Sequence, residues 1–208
     1  MLTVNSAIPI SYKRHVGLNC ILRNYSVRQE QALNLTIAEA LLVTVSTPPL
    51  FTSTSILKDE SIYEYVGADL TLSNPAQEII AEAHLAFGGE DKIACLLSLG
   101  CGYPGVVSLS EPSNIVEWNQ FLERLTNDGE RKARSLESQI GHTGFYYRFN
   151  ITNGLNRSTS NNSLGPGDIV THASVYIADT LISRRLDACI NCLTTRDGLA
   201  SLEQLGKI

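Results

Sequence analysis

Apolar and polar positions follow two periods along this chain, and the elements can be read from where one gives way to the other. Cys20-Ile21-Leu22 is an apolar step that suits a brief strand, and residues 26–34 form a polar connection. Helical spacing then begins. Thr36-Ile37-Ala38-Glu39 fits a capping box, in which the Thr hydroxyl accepts from the N–H three residues on and the Glu reaches back to the cap's own N–H. The spacing predicts a helix over about residues 36–46, with Ile37, Ala40, Leu41 and Val45 available for burial. Pro48-Pro49 ends it, since proline supplies no N–H and pushes Thr47 out of the α region.

Residues 61–66 alternate as a strand does and run through Gly67-Ala68-Asp69-Leu70-Thr71-Leu72-Ser73 into a second helix start. Asn74 is the expected cap, Pro75 the first helical residue, and Gln77 the far end of an Asn-x-x-Gln box. Ala76, Ile79, Ile80, Ala83, Ala86 and Phe87 make one apolar stripe, stopped by Gly88-Gly89. Residues 93–99 (IACLLSL) form a continuous apolar run, which predicts a strand covered on both faces in a parallel sheet. The strand–helix–strand order makes α/β the expected fold class.

Farther on, residues 115–125 are periodic enough for a helix, Gly129 interrupts, and residues 130–140 are charged and helix-prone, as one kinked helix or two. Residues 145–151 (FYYRFNI) alternate like a half-buried outer strand. Residues 156–167 read as a loop, and a last helix is expected over about residues 171–193, with a break at Gly198. No internal repeat is visible.

Composition narrows the classes. The chain has 208 residues, 43% of them hydrophobic and only 18% charged, so it suits a packed domain rather than a disordered or fibrous one. Its 16 basic and 21 acidic residues give a net charge of −5, which offers a nucleic-acid backbone nothing to bind. Five scattered cysteines do not suggest a disulfide framework, and reduced intracellular thiols are the default. There is neither a signal-peptide pattern nor an apolar run long enough to span a membrane, so a cytoplasmic place, in places peripheral at membranes, is expected. The five sequons, at Asn24, Asn34, Asn150, Asn156 and Asn161, are read as chance in a Ser/Thr/Asn-rich sequence.

Candidate chemistry is sparse. Gly100-Cys101-Gly102-Tyr103-Pro104-Gly105 matches the dinucleotide loop G-x-G-x-x-G, but Val106-Val107-Ser108-Leu109 and Pro112 do not make the helix N-terminus that this loop needs, so no nucleotide cofactor is expected. Cys189-x-x-Cys192 has the spacing of a redox pair or half a zinc site, yet no second such pair exists, and two buried thiols are the reading. His15, His84, His142 and His172 do not fall at metal-ligand spacing, so no metal is expected. G-x-S-x-G, the nucleophile elbow of acyl transfer, occurs nowhere in the sequence.

Several stretches in order nevertheless resemble the patatin-like phospholipases. These are Leu22-Arg23-Asn24-Tyr25; Thr36-Ile37-Ala38-Glu39-Ala40 with Thr44, Pro48 and Phe51; Tyr65-Val66-Gly67-Ala68-Asp69-Leu70-Thr71-Leu72-Ser73-Asn74-Pro75; and Leu97-Ser98-Leu99-Gly100-Cys101-Gly102. That family shows a "FRSY" strand end, a "TIWEAARATSAAPTFF" helix, an "F-[VI]-DGGL-x-x-NNP" loop and an "SIGTG" strand end in the same order. Tyr147-Arg148-Phe149-Asn150, Val170-Thr171-His172 and Ser201-Leu202-Glu203-Gln204-Leu205 are similar to its longer fungal members.

The resemblance implies a three-layer α/β/α sheet. Residues 1–153 would form the C-terminal part of a patatin-like domain, without the elbow and oxyanion loop, and residues 154–208 a loop and helical extension. It implies a Ser–Asp acyl hydrolase acting on glycerolipid or phospholipid esters, with no cofactor. Aligned on Asn74-Pro75, however, Gly67 falls at the catalytic aspartate and Asp69 two residues on. Asp69 is then the one catalytic candidate, displaced by about 6–7 Å against a reach of about 2.6–3.2 Å, and is otherwise a turn residue. The expectation is a lipid-metabolism homologue, catalytically incomplete as given. The alternative is a protein- or lipid-surface module that pairs with a partner, or with itself, through an open sheet edge.

Overall fold

The structure, a computed structural model, describes residues 5–27, 35–48, 51–58, 60–102, 114–126, 129–152 and 165–205. Most of the connection at 26–34, Pro49, residues 103–113 with the second half of the glycine-rich hexamer, and most of the loop at 156–167 lie outside them. The sequons at Asn34, Asn156 and Asn161 do so too. The chain is a mixed α/β protein. It divides into two compact units, Met1–Gly88 with Thr126–Gly129, and Gly89–Leu125 with Glu130–Ile208.

The first unit is built on an antiparallel sheet in the order β2-β1-β4-β3, from β1 (Ala7–Tyr12), β2 (His15–Arg23), β3 (Thr54–Lys58) and β4 (Ser61–Gly67). The strand–helix–strand order predicted parallel pairing. Instead β1 pairs antiparallel with β2 and β3 with β4, each pair of strands being neighbours in sequence as in a hairpin. β1 was not among the expected elements, and it carries Pro9, a residue that sheets confine to edges and ladder ends. Here β4 pairs with β1 only from Ile10 onward, so Pro9 sits where that ladder has already ended.

Helix α1 (Ile37–Val45) carries the capping box as read. Thr36 accepts from Glu39 N at 3.2 Å, and Glu39 accepts from Thr36 N at 2.7 Å. The face it buries is not the one predicted. Val43 is fully buried and joins Ile10, Leu22, Ile56 and Tyr65 in one cluster, whereas Ile37, Leu41 and Val45 are 81%, 59% and 50% exposed. Tyr12 and Tyr63 flank Tyr65, with ring centroids 5.3 and 6.2 Å away.

Helix α2 (Ala76–Phe87) starts one residue later than expected, with Asn74 Oδ1 accepting from Ala76 N at 3.2 Å. Gly88 stops it at φ 93°, a left-handed conformation that only glycine adopts without strain. Its stripe buries Ala76 and Ile80 but also Glu82.

The second unit holds two short sheets. The apolar run is split: β5 (Lys92–Ile93) pairs antiparallel with β8 (Ala200–Ser201), and β6 (Leu96–Leu99) pairs parallel with β7 (Tyr146–Phe149). Only Leu96 of β6 is buried. Leu97 and Leu99 are 41% and 72% exposed, so the strand is not covered on both faces as expected. β7 does not alternate either, because Phe145, Tyr146 and Tyr147 are all buried in succession.

α3 (Ile115–Thr126) and α4 (Gly129–Ile140) are two helices, and α4 buries Ala133, Leu136 and Ile140 on one stripe. The last expected helix is also two, α5 (Pro166–Ala178) and α6 (Thr180–Thr195). Asp179 separates them in an extended conformation. Its Oδ1 takes the N–H groups of Leu181 and Ile182, making it the N-cap of α6. A one-turn α7 (Leu202–Leu205) buries Leu202 and Leu205.

Candidate functional site

The loop from Gly67 to Asn74 carries the one catalytic candidate, and its backbone fixes what Asp69 does. β4 ends at Gly67, opposite Ile10, and a single 3-10 turn over Ala68–Leu70 follows. Gly67 N donates to Ser46 O at 3.0 Å, which ties the strand end to the end of α1. Thr47, one residue on, donates its hydroxyl to Asp69 Oδ1 at 2.6 Å. Asp69 is exposed and is spent on this contact.

Gly67 has no space for a side chain. A Cβ there would lie 2.6 Å from Thr47 Oγ1, 2.9 Å from Asp69 Oδ1 and 2.9 Å from the backbone oxygen of Thr44. Two of these contacts are the very groups of the Thr47–Asp69 clasp. On the far side of the turn, Asn19 Oδ1 accepts from Ser11 Oγ and from Thr71 Oγ1, both at 2.8 Å. The loop is thus tied down at both ends by hydroxyl groups, Thr47 on Asp69 at one and Thr71 on Asn19 at the other.

The segment Leu22-Arg23-Asn24-Tyr25 supplies an ion pair to α2. Arg23, at the end of β2, donates through Nε to Glu82 Oε1 at 2.5 Å and through Nη2 to Oε2 at 2.9 Å. Tyr25 OH donates to Glu82 Oε1 at 2.8 Å. The Arg23 guanidinium, with help from Tyr25, holds the Glu82 carboxyl below its usual range, and burial followed by the hydrogen bond to Glu82 pushes the Tyr25 phenol up to about 12. This cluster was missed by sequence reasoning. The signal for it was Glu82, at the edge of the apolar stripe of α2.

In the second unit, the glycines after β6 are filled from β7. Gly102 N, at φ 110°, donates to Asn150 Oδ1 at 2.7 Å, and Gly100 N donates to Phe149 O at 2.8 Å. The Gly100 and Gly102 amides of this loop are therefore occupied by the protein itself. Asn150 Nδ2 and Arg148 Nη2 both donate to Glu130 Oε1, at 2.6 and 2.8 Å, and Arg148 Nη1 donates to Ser98 Oγ at 2.9 Å. Arg148 Nε and Tyr146 OH are buried in this unit without a partner.

Cys189 is buried as expected, and Cys192 is half-buried. The third thiol nearby was not foreseen: Cys95 Sγ lies 3.9 Å from Cys189 Sγ. Among the described residues, no group of three His, Cys, Asp or Glu is placed to hold a metal ion. No helix among them is long and apolar enough to cross a membrane. Compared with known proteins, the chain matches no family model, no curated protein and no solved structure.

Proposed function

We propose that this chain is a patatin-like lipid acyl hydrolase homologue that keeps the family's scaffold and has lost its Ser–Asp chemistry. On this reading the three-layer α/β/α arrangement is inherited, the ancestral substrates are glycerolipid or phospholipid esters, and the protein is cytoplasmic, peripheral at lipid surfaces. The order of the matched segments supports the descent. The closed surroundings of Gly67 support the loss. A carboxylate at that position would have to displace the Thr44 backbone, Thr47 and Asp69 together, and Asp69 itself is bonded to a threonine.

The test is release of free fatty acid from phosphatidylcholine and triacylglycerol by the purified chain. The expected rate equals that of the buffer blank, and the chain bound to vesicles is expected to behave no differently. Turnover that disappears in Asp69→Asn would overturn the reading.

A second reading, a non-catalytic surface module, is favoured by α1, whose Ile37, Leu41, Leu42 and Val45 are all at least half exposed. β2 and β3 also lie at the two ends of the four-stranded sheet, each with one described strand neighbour. Light scattering together with sedimentation on neutral and anionic vesicles tests this module. A monomer that stays in the supernatant with both would count against it.

A further inference from the structure

Cys95 lies in the short link between β5 and β6, half-buried, while Cys189 projects from α6 and is 1% exposed. Their sulfurs are 3.9 Å apart, in van der Waals contact. A disulfide has a length of about 2.05 Å, so closing this gap needs roughly 2 Å of sulfur movement, within the range of side-chain rotation. The neighbouring thiol is engaged elsewhere. Cys192 Sγ lies 3.4 Å from Tyr147 OH and 3.7 Å from Gly144 O.

We propose that Cys95 and Cys189 are an oxidisable dithiol, a modification site at which a hydroperoxide closes a disulfide between the β5–β6 link and α6. Cys95 is the attacking group because it is the more exposed of the two. Its sulfur takes the terminal peroxide oxygen, the O–O bond breaks, and the alcohol, or water from hydrogen peroxide, departs with the thiol proton. Cys189 sulfur then attacks the resulting sulfenic acid at sulfur. The S–S bond forms, the S–O bond breaks, and water leaves with the second thiol proton. Two electrons pass from the thiols to the peroxide.

Burial, reinforced by Cys189 alongside, pushes the Cys95 thiol up to about 12, so the reactive thiolate is scarce at neutral pH. The pair therefore closes slowly and faster in alkali. Once made, the bond links segments far apart in sequence, which restricts the unfolded chain.

The test uses the full chain, reduced, exposed to hydrogen peroxide and quenched with a maleimide, with the monomer mapped as peptides without reduction. The expected product is a Cys95–Cys189 cross-linked peptide, lost on treatment with dithiothreitol, retained in Cys101→Ser and absent in Cys95→Ser. Its rate of formation rises by about tenfold per pH unit between pH 7 and 9, as the thiolate fraction does. The map of the unsubstituted chain decides by itself if Cys95→Ser fails to fold. Cys95 recovered as the maleimide adduct after peroxide, or cross-linked to Cys192 or only between molecules, would overturn the proposal.

Discussion

Arg23 and Glu82 form a two-pronged ion pair, with Nε and Nη2 of the guanidinium on the two carboxylate oxygens and both side chains largely out of water. It joins the end of β2 to the middle of α2 within the first unit. Bidentate geometry fixes orientation as well as charge, and Tyr25 adds a third bond to the same carboxylate. The pair accounts for a buried acidic residue at the edge of the apolar stripe that holds Ile79, Ile80 and Ala83.

Glu82→Gln is expected to destabilise the fold by about 2–4 kcal/mol, because it leaves the Arg23 guanidinium without its carboxylate. Urea unfolding of the variant against the parent measures this. The same pair gives a pH signature. The Glu82 carboxyl lies below its unfolded value, so the unfolded state binds more protons in that window and stability rises with pH. The contribution is fully present above the unfolded glutamate value, about pH 4.3, and is lost as pH falls through the folded one. The parent should therefore lose more stability than Glu82→Gln between pH 5.5 and 3.

Gly67→Ala is expected to cost about 1–3 kcal/mol, since even a methyl group meets the Thr44 backbone and both groups of the Thr47–Asp69 clasp. Thr47→Ala removes the Oγ1 atom that the new methyl meets and should recover part of the loss in the double variant. A cycle of urea midpoints over the four proteins checks the coupling.

Asn150→Asp keeps an acceptor for the Gly102 amide but replaces the Nδ2 donor with a carboxylate facing Glu130 Oε1. It should destabilise by about 1–3 kcal/mol at pH 7. Repulsion raises the new carboxyl's folded-state pKa, so the defect shrinks as pH falls through the carboxylate range, about 4–5. Thermal melts of variant and parent at pH 7 and 4.5 test both the size and the sign.

Under native conditions iodoacetamide should modify exposed Cys101 well before Cys95 or Cys189. Cys95 is held protonated by burial, and Cys189 is out of contact with solvent. Peptide mapping over a time course gives the order, and early loss of Cys189 would contradict the packing of α6.

Local signals were legible in the sequence where the physics is local. The Thr36–Glu39 box and the Gly88 stop each depend on a few neighbouring residues, and each is found; Gly129, read as an interruption, is instead the first residue of α4. What depends on partners distant in sequence was not. The apolar stripe of α1 points outward because the sheet accepts only Val43, and the run at 93–99 divides because β8 and β7 claim its two halves separately.

The candidate site was legible only as a vacancy. The resemblance puts Gly67 where the family has its aspartate, but the extended spacing expected for Asp69 is not found: Ala68–Leu70 form a 3-10 turn, and Asp69 Oδ1 lies 2.9 Å from where a Gly67 Cβ would be. That Asp69 would be taken by Thr47, and that the space over Gly67 would be closed, needed the end of α1 to be brought beside the loop. No local pattern reports that approach.

Central to the proposed function is that the resemblance to patatin-like phospholipases is one of scaffold alone, with no acylatable dyad. Its most direct measurement is intact mass after incubation with a fluorophosphonate, which phosphonylates an activated serine or threonine. The account predicts an unchanged mass for the whole population. A stoichiometric adduct, and above all one mapping to Thr47 and lost in Asp69→Asn, would contradict it.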